Sequence, residues 1–354
     1  MTMKKNVRWL LLIVSVVLIS ISCTGKEVAL QKEPLSPTEQ FVIQNLLNDE
    51  GLISTDLTSQ KDLFLSESVG LWLAYLLEKG DRARFDDQVN VMKSYFLKSD
   101  FIVWRLEGTK KATVNALIDD LRIIRVLLEA GEKWHESTYV QLGKKIGENL
   151  TIHGMNEGLF VDYVDVSSLA QANTLTMSYL MPSAFYIMEK NGLLSQQQVR
   201  DQLAILKNAP LTEQGFYPKY YDIPSKSYRF DEELHMIDQL YVAYHMVSID
   251  EDTEPFKRWL LNLLKRDGKL YGRYNAQTNQ PTVSYESPAV YAMAARYMLV
   301  LEEQQNAQIF IEKMLSLKDP TSGYVEKNTR STHSFDNLLP LLAEKEVENA
   351  INNE

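Results

Sequence analysis

The chain has 354 residues, 45% of them hydrophobic and 24% charged, which is enough for one large core or two smaller ones. Lys and Arg number 37 against 47 Asp and Glu, a net charge of −10. This balance argues against a nucleic-acid partner, because neutralising phosphates needs clustered cations. The five Trp, 18 Tyr and 12 Phe suit neutral or cationic ligands, sugars among them.

The N-terminal end has the pattern of a secretory signal peptide. Three of the first eight residues are Lys or Arg, and residues 9–22 form an apolar run too short for an ordinary spanning helix. The only cysteine of the chain, Cys23, follows this run directly. Cleavage just before a lone cysteine resembles the bacterial lipoprotein pattern, in which the thiol is lipidated. An uncleaved anchor and plain secretion are the alternatives.

The next segment is polar and contains prolines, as expected of a tether between membrane and domain. We therefore predict a signal peptide over residues 1–22 and a lipid-anchored tether over residues 23–36. The protein is expected outside the cytoplasm, attached to the membrane through Cys23.

From residue 37 onward, apolar residues recur at spacings of three and four, the pattern of amphipathic helices. Glycines punctuate many of the gaps between these segments. The predicted helices cover residues 38–48, 67–79, 82–98, 113–130, 137–150, 175–191, 195–207, 231–246, 253–266, 288–303, 306–316 and 334–344.

No Pro/Ser-rich linker interrupts the chain after residue 40, so residues 37–354 are predicted to form one domain. Twelve helices can close into an all-α toroid of six helical hairpins, an (α/α)6 barrel. An open superhelix of helical repeats is the competing architecture. No motif recurs at a fixed period, which favours the closed form.

One stretch places a carboxylate at the start of a strongly apolar helix. Ser66 is a candidate N-cap, Glu67 falls in the first turn, and Leu71 and Trp72 begin the core-facing part. A carboxyl group held beside apolar side chains has its pKa raised by desolvation, as a general acid requires. The structural alternative is a capping glutamate with a solvated side chain.

Two long gaps, residues 151–173 and 210–230, are rich in aromatic and acidic residues. Tyr163 lies in the first and Tyr220 in the second. Such loops are typical of a sugar cleft, where ring faces stack on pyranose CH groups. The alternative is that these rings cover the surface of the domain.

Five segments in order, spanning roughly residues 60–340, resemble glycoside hydrolase family 8. They are residues 66–74, 117–134, 178–182, 230–234 and 284–289. The family consists of inverting, endo-acting enzymes built on the six-hairpin barrel. The resemblance therefore implies that fold and a glycosidase activity on a polysaccharide.

The resemblance also implies roles for individual residues. Glu67 matches the proton donor, and Asp231 matches the general base. Inversion needs the two carboxyl groups roughly 6.5 to 9.5 Å apart, so that a water fits between base and sugar. Asp120 would contact the sugar in the −1 subsite, and Tyr179 would position that sugar or the water. Further candidate substrate-binding residues are Trp72, Trp104, Asp119, Tyr163, Tyr220 and Tyr285.

The sequence departs from the family pattern at two places. Ile118 stands where the family has the first Asp of its second motif, so Asp119 is a substitute by a one-residue shift. Residues 232–234 replace the Ala and Arg that follow the general base. Divergent members of this kind resemble lipoproteins found with bacterial exopolysaccharide synthesis machinery.

Structural explanations exist for each candidate taken singly. Asp231 would be a helix N-cap, and Asp119 with Asp120 would form a solvated helix face. The aromatic residues that would simply be core are Tyr179, Trp72 and Trp104.

We therefore expect a monomeric, lipid-anchored glycosidase that trims or releases a β-linked exopolysaccharide of its own cell. The five histidines show no paired metal spacing and the chain has no nucleotide-binding glycine motif, so we expect neither metal nor organic cofactor. A non-catalytic glycan-binding lipoprotein is the main alternative. Another six-hairpin enzyme, such as a uronyl hydrolase or polysaccharide lyase, and a purely structural repeat protein are the others.

Overall fold

The computed structural model describes residues 34–352. The predicted signal peptide, Cys23 and most of the tether lie outside these residues. Residues Ser36–Glu354 form one compact unit. In the described part of the chain the helices α1 to α12 are Pro37–Phe41, Ser66–Lys79, Arg82–Val91, Leu117–Trp134, Ser137–His153, Pro182–Lys190, Gln196–Lys207, Met236–Val247, Glu254–Asp267, Pro288–Val300, Gln304–Leu315 and Phe335–Asn352. Short π-helical turns extend α1 to Leu46 and α3 to Phe96.

Short strands occupy the loops between these helices. In chain order the strands β1 to β12 are Leu63–Leu65, Leu97–Lys98, Phe101–Ile102, Arg105–Glu107, Lys110–Lys111, Met155–Asn156, Leu159–Phe160, Thr174–Thr176, Tyr220–Asp222, Ser227–Arg229, Glu233–His235 and Arg273–Asn275. All the pairings of these strands are antiparallel, in sheets of two or three strands such as β1-β4-β5 and β10-β9-β8.

The even-numbered helices form a closed inner ring, which is the architecture of the (α/α)6 barrel. Helix α2 packs on α4, α4 on α6, α8 on α10 and α10 on α12, and α12 returns to pack on α2. The turn Met177–Tyr179 before α6 packs on α8 and completes the circle. The sequence prediction of a closed all-α toroid is confirmed.

Burial explains which helices lie inside the ring. In α10, nine of the 13 residues are buried, including an uninterrupted run from Ala289 to Ala295. In α5 only a single stripe is buried, including Tyr139, Ile146 and Leu150. A helix that is apolar on most sides must be surrounded by protein, whereas one with a single apolar stripe covers the core from outside.

The inner helices all run in the same direction, because each is joined to the next through one outer helix that returns the chain. Their N-terminal ends therefore meet at one end of the barrel. Strand β1 leads directly into α2, and β11 leads directly into α8. These junctions hold the first turns of the inner helices, where the candidate catalytic residues lie.

Three predicted helix starts were wrong. The helix expected from residue 113 begins at Leu117, because Val114 forms a β-bridge with Asp165. The helix expected from residue 175 begins at Pro182, and residues 174–176 belong to β8. Proline is favoured in the first turn of a helix because it lacks the N–H that would stay unbonded there. The helix expected from residue 231 begins at Met236, because residues Glu233–His235 pair with β12.

Candidate active site

The start of α2 holds Glu67 at the mouth of the barrel. Strand β1 pairs with β4, and the backbone N–H of Ser66 donates to the carbonyl of Trp104 at 3.0 Å. Ser66 is the first residue of the helix rather than its N-cap, which is Leu65. Its hydroxyl instead donates to Asp119 Oδ2 at 2.6 Å. The predicted capping role of Ser66 was therefore wrong, whereas the position of Glu67 in the first turn is confirmed.

The environment of Glu67 suits a proton donor. Its side chain is only partly covered, yet the surrounding protein desolvates the carboxyl group. The pKa of Glu67 is raised to about 8. Burial is the largest cause, the charges of Asp119 and Asp336 add to the rise, and Arg122 opposes it. At neutral pH the carboxyl group is therefore mostly protonated.

Asp119 lies next to this acid and is almost fully buried. It accepts the hydrogen bond from Ser66, and Arg122 Nη1 donates to its Oδ1 at 3.0 Å. Burial raises the pKa of Asp119, and the charge of Arg122 and the Ser66 hydrogen bond act against that rise. Gly70 makes room for this arrangement, since a Cβ there would approach Arg122 Cδ to 3.1 Å.

Asp120 points elsewhere, because consecutive residues on a helix are about 100° apart. Asn115 donates to its Oδ2, its Oδ1 has no partner, and the residue is 1% exposed. Asn115 also accepts from the backbone N–H of Val164. Asp120 therefore helps to join α4 to the loop at residues 160–166. The expected sugar contact of Asp120 is contradicted, and Asp119 is the aspartate beside Glu67.

A second group of carboxylates lies around the start of α8. Lys219 Nζ and Asp231 Oδ2 form an ion pair at 2.6 Å, and the Asp231 side chain is 37% exposed. Asp238, in the first turn of α8, accepts from the Ser178 hydroxyl at 2.9 Å. Both aspartates line one narrow recess together with Lys219 and His235. Asp231 was expected at the N-terminus of this helix, but it lies in the loop before β11.

The pKa of Asp238 differs from that of an ordinary surface carboxylate. Burial raises it, while the Ser178 hydrogen bond and the charges of His235 and Lys219 lower it, and Asp231 adds to the rise. Asp231 has a lysine as its direct partner. The recess therefore combines one buried carboxyl group with one ion-paired carboxylate.

Tyr179 is close to both carboxylate groups. Burial raises its pKa, and so do the negative charges of Asp119, Asp162, Asp238 and Glu67. Its phenol therefore remains a hydrogen-bond donor among carboxylates. Its half-buried position excludes a purely core role for the residue.

Acidic residues occupy the first turns of four inner helices. Glu67 is in α2, Asp119 in α4, Asp238 in α8 and Asp336 in α12. Asp336 accepts from the Ser287 hydroxyl at 2.6 Å. Sequence reasoning found Glu67 and Asp119 and missed Asp238 and Asp336. The signal available for these two was an acidic residue near the start of a long apolar segment.

The candidate stacking rings differ in accessibility. Trp72 is 2% exposed and stacks on Tyr75 with ring centroids 5.4 Å apart, so it belongs to the core. The expectation that Trp72 binds sugar is contradicted. Trp104 is half-buried, with the Arg105 guanidinium 4.9 Å from its ring centre. Tyr163 and Tyr285 are 47% and 50% exposed.

Tyr220 is half-buried in β9, where it pairs with Thr176 of β8. The neighbouring strand β8 is tied to Asp162, which accepts hydrogen bonds from the hydroxyls of Thr174 and Thr176. Phe230, directly before Asp231, is 42% exposed and was missed by sequence reasoning. These rings surround the mouth of the barrel at the end where the carboxylates lie.

The described residues contain neither a candidate metal site nor a candidate membrane-spanning helix. Within residues 34–352, no group of three or more His, Cys, Asp or Glu side chains is arranged to hold a metal ion. In the same part of the chain, none of the helices is both long and apolar enough to span a bilayer.

A closed ring of helical hairpins with carboxyl groups at the first turns of its inner helices is the architecture of a six-hairpin glycosidase. The family model described as glycosyl hydrolases family 8 matches residues 4–322. The chain belongs to this family and is a glycosidase. A protein of Bacillus subtilis (strain 168) named "Putative lipoprotein YdaJ" is 40% identical over 322 residues, covering 89% of this chain and 88% of the relative.

Solved structures show the same fold. An alpha-amylase from Clostridium perfringens is 25% identical with a TM-score of 0.80, over 87% of this chain and 95% of that one. PssZ from Listeria monocytogenes is 27% identical with a TM-score of 0.75, over 88% and 96%. The endo-beta-1,4-glucanase CMCax from Acetobacter xylinum, 15% identical with a TM-score of 0.63 over 91% and 100%, shares the fold.

Proposed function

We propose that this glycosidase hydrolyses a β-linked exopolysaccharide with inversion, cutting within the polymer chain. Glu67 is the general acid and Asp231 is the general base. The observation that carries this proposal is the partly accessible Glu67 carboxyl group, whose pKa of about 8 keeps it protonated at neutral pH. A protonated carboxyl group is what the departing glycosidic oxygen requires.

The base must be ionised when the acid is protonated. Asp231 is proposed as this base because its carboxylate is 37% exposed and pairs with Lys219. Burial raises the pKa of Asp238, which favours its neutral form. Asp238 is nevertheless the competing base, since it lies in the first turn of an inner helix, as Glu67 does.

Asp119 and Tyr179 are proposed to hold the sugar at the cleavage point. Both lie near Glu67, and Tyr179 is also near Asp238. The exposed rings of Tyr163 and Tyr285 and the half-buried ring of Tyr220 would bind sugar units further along the polymer, with Trp104 beside the acid. Several such positions favour attack inside a polymer over removal of single terminal units.

The substrate is tested with the purified full chain. New reducing ends are followed on exopolysaccharide from the source organism, on a soluble β-1,4-glucan and on starch. We expect release from the β-linked polymers and a rapid fall in polymer length, which is the sign of internal cleavage. Release from starch alone would contradict the proposed linkage and point to the activity for which the Clostridium perfringens relative is named.

The catalytic roles are tested with three matched variants. Glu67→Gln and Asp231→Asn keep side-chain size and should each lower kcat at least about 100-fold, the usual worth of a general acid or base. Asp238→Asn should retain more activity than Asp231→Asn. NMR of the first product should show the anomer opposite to that of the substrate; the same anomer would exclude inversion.

Azide distinguishes the two candidate bases. Azide is a nucleophile that needs no deprotonation. It can therefore attack the sugar in place of the water that the base would activate, from the face opposite to the leaving group. Azide should therefore restore turnover and yield a glycosyl azide with Asp231→Ala but not with Asp238→Ala. The reverse result would transfer the role of base to Asp238.

The location of the enzyme is a further part of the proposal. Cys23 lies outside the described residues, and support comes from the cysteine after the apolar run and from a relative named as a lipoprotein. We propose a lipid anchor on Cys23 and a monomer that acts beside the exopolysaccharide synthesis machinery. Mass spectrometry of the mature N-terminus should find a diacylglyceryl cysteine; release of wild type and Cys23→Ala to the medium in equal amounts would contradict the anchor.

A further inference from the structure

A second cavity, of about 150 Å³, lies at the floor of the barrel. All six inner helices contribute to its wall. Its lining residues Arg122 and Arg125 follow Asp119 in α4, and His245 follows Asp238 in α8, so the cavity lies beyond the carboxylates as seen from the mouth. None of the roles proposed above makes use of this space.

The charged side chains on the wall of this cavity balance in number. Three are arginines and three are glutamates: Arg122, Arg125, Arg296, Glu78, Glu129 and Glu346. Each arginine already has a carboxylate partner, at 2.6 to 3.1 Å. A wall whose charges are balanced and paired does not compensate a charged ligand, of either sign, for the loss of its hydration. The ligand that suits this wall is therefore neutral.

Three polar atoms on the wall have no hydrogen-bond partner in the described part of the chain: His245 Nε2, Tyr241 Oη and Arg125 Nε. His245 and Tyr241 are 3% and 7% exposed. Burial, with the charges of nearby arginines, lowers the pKa of His245 to about 3, and the neutral ring donates to the backbone of Ser178. Buried polar groups are nearly always hydrogen-bonded, so these three atoms indicate a ligand.

The three atoms require different hydrogen-bonding partners. His245 Nε2 carries a lone pair and needs a donor, Arg125 Nε needs an acceptor, and the Tyr241 hydroxyl group takes either. A hydroxyl group meets both requirements, because it donates one hydrogen bond and accepts others. A neutral molecule with several hydroxyl groups can therefore satisfy all three atoms together.

The volume of the cavity sets the size of the ligand. An engineered cavity of about 150 Å³ in another protein holds one benzene ring, so a cavity of this volume accepts one six-membered ring. Leu71, Ala74 and Tyr244 add apolar surface to the wall, which suits the CH groups of a sugar. The exposed side chains of Glu78 and Ser183 lie on the same wall and mark its opening.

We propose that this cavity binds one neutral sugar ring, either a free monosaccharide or the end unit of a short oligosaccharide. His245 Nε2 accepts a hydrogen bond from one hydroxyl group of the sugar. Arg125 Nε donates to a second, and the Tyr241 hydroxyl group bonds a third. This floor site is separate from the cleft at the mouth, where the proposed polysaccharide substrate binds.

Saturation-transfer NMR of the full chain tests the binding, since it detects weak contacts between protein and sugar protons. The probes are glucose, galactose and mannose, which are neutral, and glucuronate and glucosamine near pH 6, which are charged. We expect saturable binding of at least one neutral sugar, tighter than that of both charged sugars. Binding of none of the sugars, or equally tight binding of a charged one, would overturn the proposal. Cellobiose compared with glucose shows whether the opening admits an end unit or only a free monosaccharide.

Three variants locate the binding. His245→Phe keeps a ring and removes the acceptor, so it should abolish saturable binding. Tyr241→Phe removes one hydroxyl group and should weaken binding about fivefold, the usual effect of one hydrogen bond; it also serves if His245→Phe does not fold. The control is Tyr186→Phe, at a residue 45% exposed and outside the cavity, which should bind as wild type does. Wild-type affinity in both floor variants would refute the site.

A fourth variant separates the floor site from the cleft. Trp104 is a proposed sugar contact at the mouth and does not line the floor cavity. Monosaccharide binding should therefore persist in Trp104→Ala and disappear in His245→Phe. The reverse result would assign the binding to the cleft and overturn the proposal. The NMR measurement needs no turnover, so it remains decisive if the proposed hydrolysis of a polysaccharide fails.

Discussion

Arg122 Nη1 donates a hydrogen bond to Asp119 Oδ1 at 3.0 Å, and both side chains are nearly fully buried. Both charges of this pair act on the proposed acid, Glu67. Asp119 raises and Arg122 lowers the pKa of Glu67.

Replacing Arg122 by Met should destabilise the protein and raise the pKa of Glu67. The buried Asp119 loses its cation, and breaking a buried ion pair in this way costs about 3 to 5 kcal/mol. Without the opposing charge the pKa of Glu67 rises above about 8, so the basic limb of the kcat/KM profile should move up. Urea unfolding and a pH–rate profile measure the two effects. The surface variant Arg258→Met is the control, and an Arg122→Met protein as stable as this control would show that the pair contributes nothing.

Glu67→Gln should abolish most activity and yet stabilise the protein at alkaline pH. The folded pKa of about 8 lies above the ordinary value near 4.5, so the folded state binds the proton more tightly than the unfolded state. Ionisation in the folded state is therefore unfavourable, and wild-type stability falls as pH rises from about 4.5 to about 8. The loss is on the order of 5 kcal/mol, and Gln removes it. Chemical denaturation of both proteins at pH 5 and pH 9 tests this. If the difference in unfolding free energy between Glu67→Gln and wild type does not increase from pH 5 to pH 9, the raised pKa of Glu67 is contradicted.

Asp119→Asn and Asp120→Asn should have different consequences, although the residues are neighbours. Asp119 lies beside Glu67, whereas Asp120 is hydrogen-bonded to Asn115. We expect Asp119→Asn to lower kcat by at least about tenfold and to lower the pKa of Glu67, because a negative neighbour is removed. Asp120→Asn should mainly change stability. Steady-state kinetics and thermal melts of both variants distinguish the two roles. A larger loss of kcat in Asp120→Asn than in Asp119→Asn would show that Asp120 contacts the sugar in the −1 subsite.

Trp72 and Trp104 provide a matched pair of tryptophans. Trp72 is 2% exposed in the core, so Trp72→Ala should cost about 3 to 5 kcal/mol of unfolding free energy. Trp104 is half-buried beside the proposed acid, so Trp104→Ala should cost less stability and raise KM. Unfolding curves and the KM for the polymer are measured for both variants. Similar losses of stability in the two variants, with an unchanged KM in Trp104→Ala, would exclude sugar stacking at Trp104.

Asp56 should stabilise the protein where the last inner helix, α12, closes the ring. It accepts from the N–H groups of Leu57 and Thr332, at 2.7 and 2.8 Å, and so joins the loop after α1 to the loop before α12. Burial alone raises its pKa, but hydrogen bonds from Thr332, Thr58 and Leu57 lower it to about 2. The stabilisation is present above pH 4 and lost as pH falls through about 2.

Asp56→Asn should therefore cost about 2 kcal/mol near pH 7 and much less near pH 2. Chemical denaturation at the two pH values measures the difference. Asp222→Asn is the control, since Asp222 accepts only from Ser225 within its own exposed turn. Equal losses of unfolding free energy in the two variants would show that the hydrogen bonds of Asp56 between the two loops add no stability.

The sequence by itself determined the class of fold, because it depends on patterns that are local. Apolar spacing of three and four specifies helices, and an apolar α10 specifies an inner position. The start of α2 was predicted to within one residue, and Glu67 was found in its first turn. Short local motifs also carried the resemblance to the family, which the family match confirms.

The tertiary structure alone decided which side chains meet. The start of α8 depends on the pairing of β11 with β12, some 40 residues later in the chain, so the helix pattern could not exclude Asp231. Whether Asp119 or Asp120 faces the acid depends on the rotation of α4 against α2. Trp72 was a candidate both for the core and for sugar stacking, and its 2% exposure in the folded protein places it in the core.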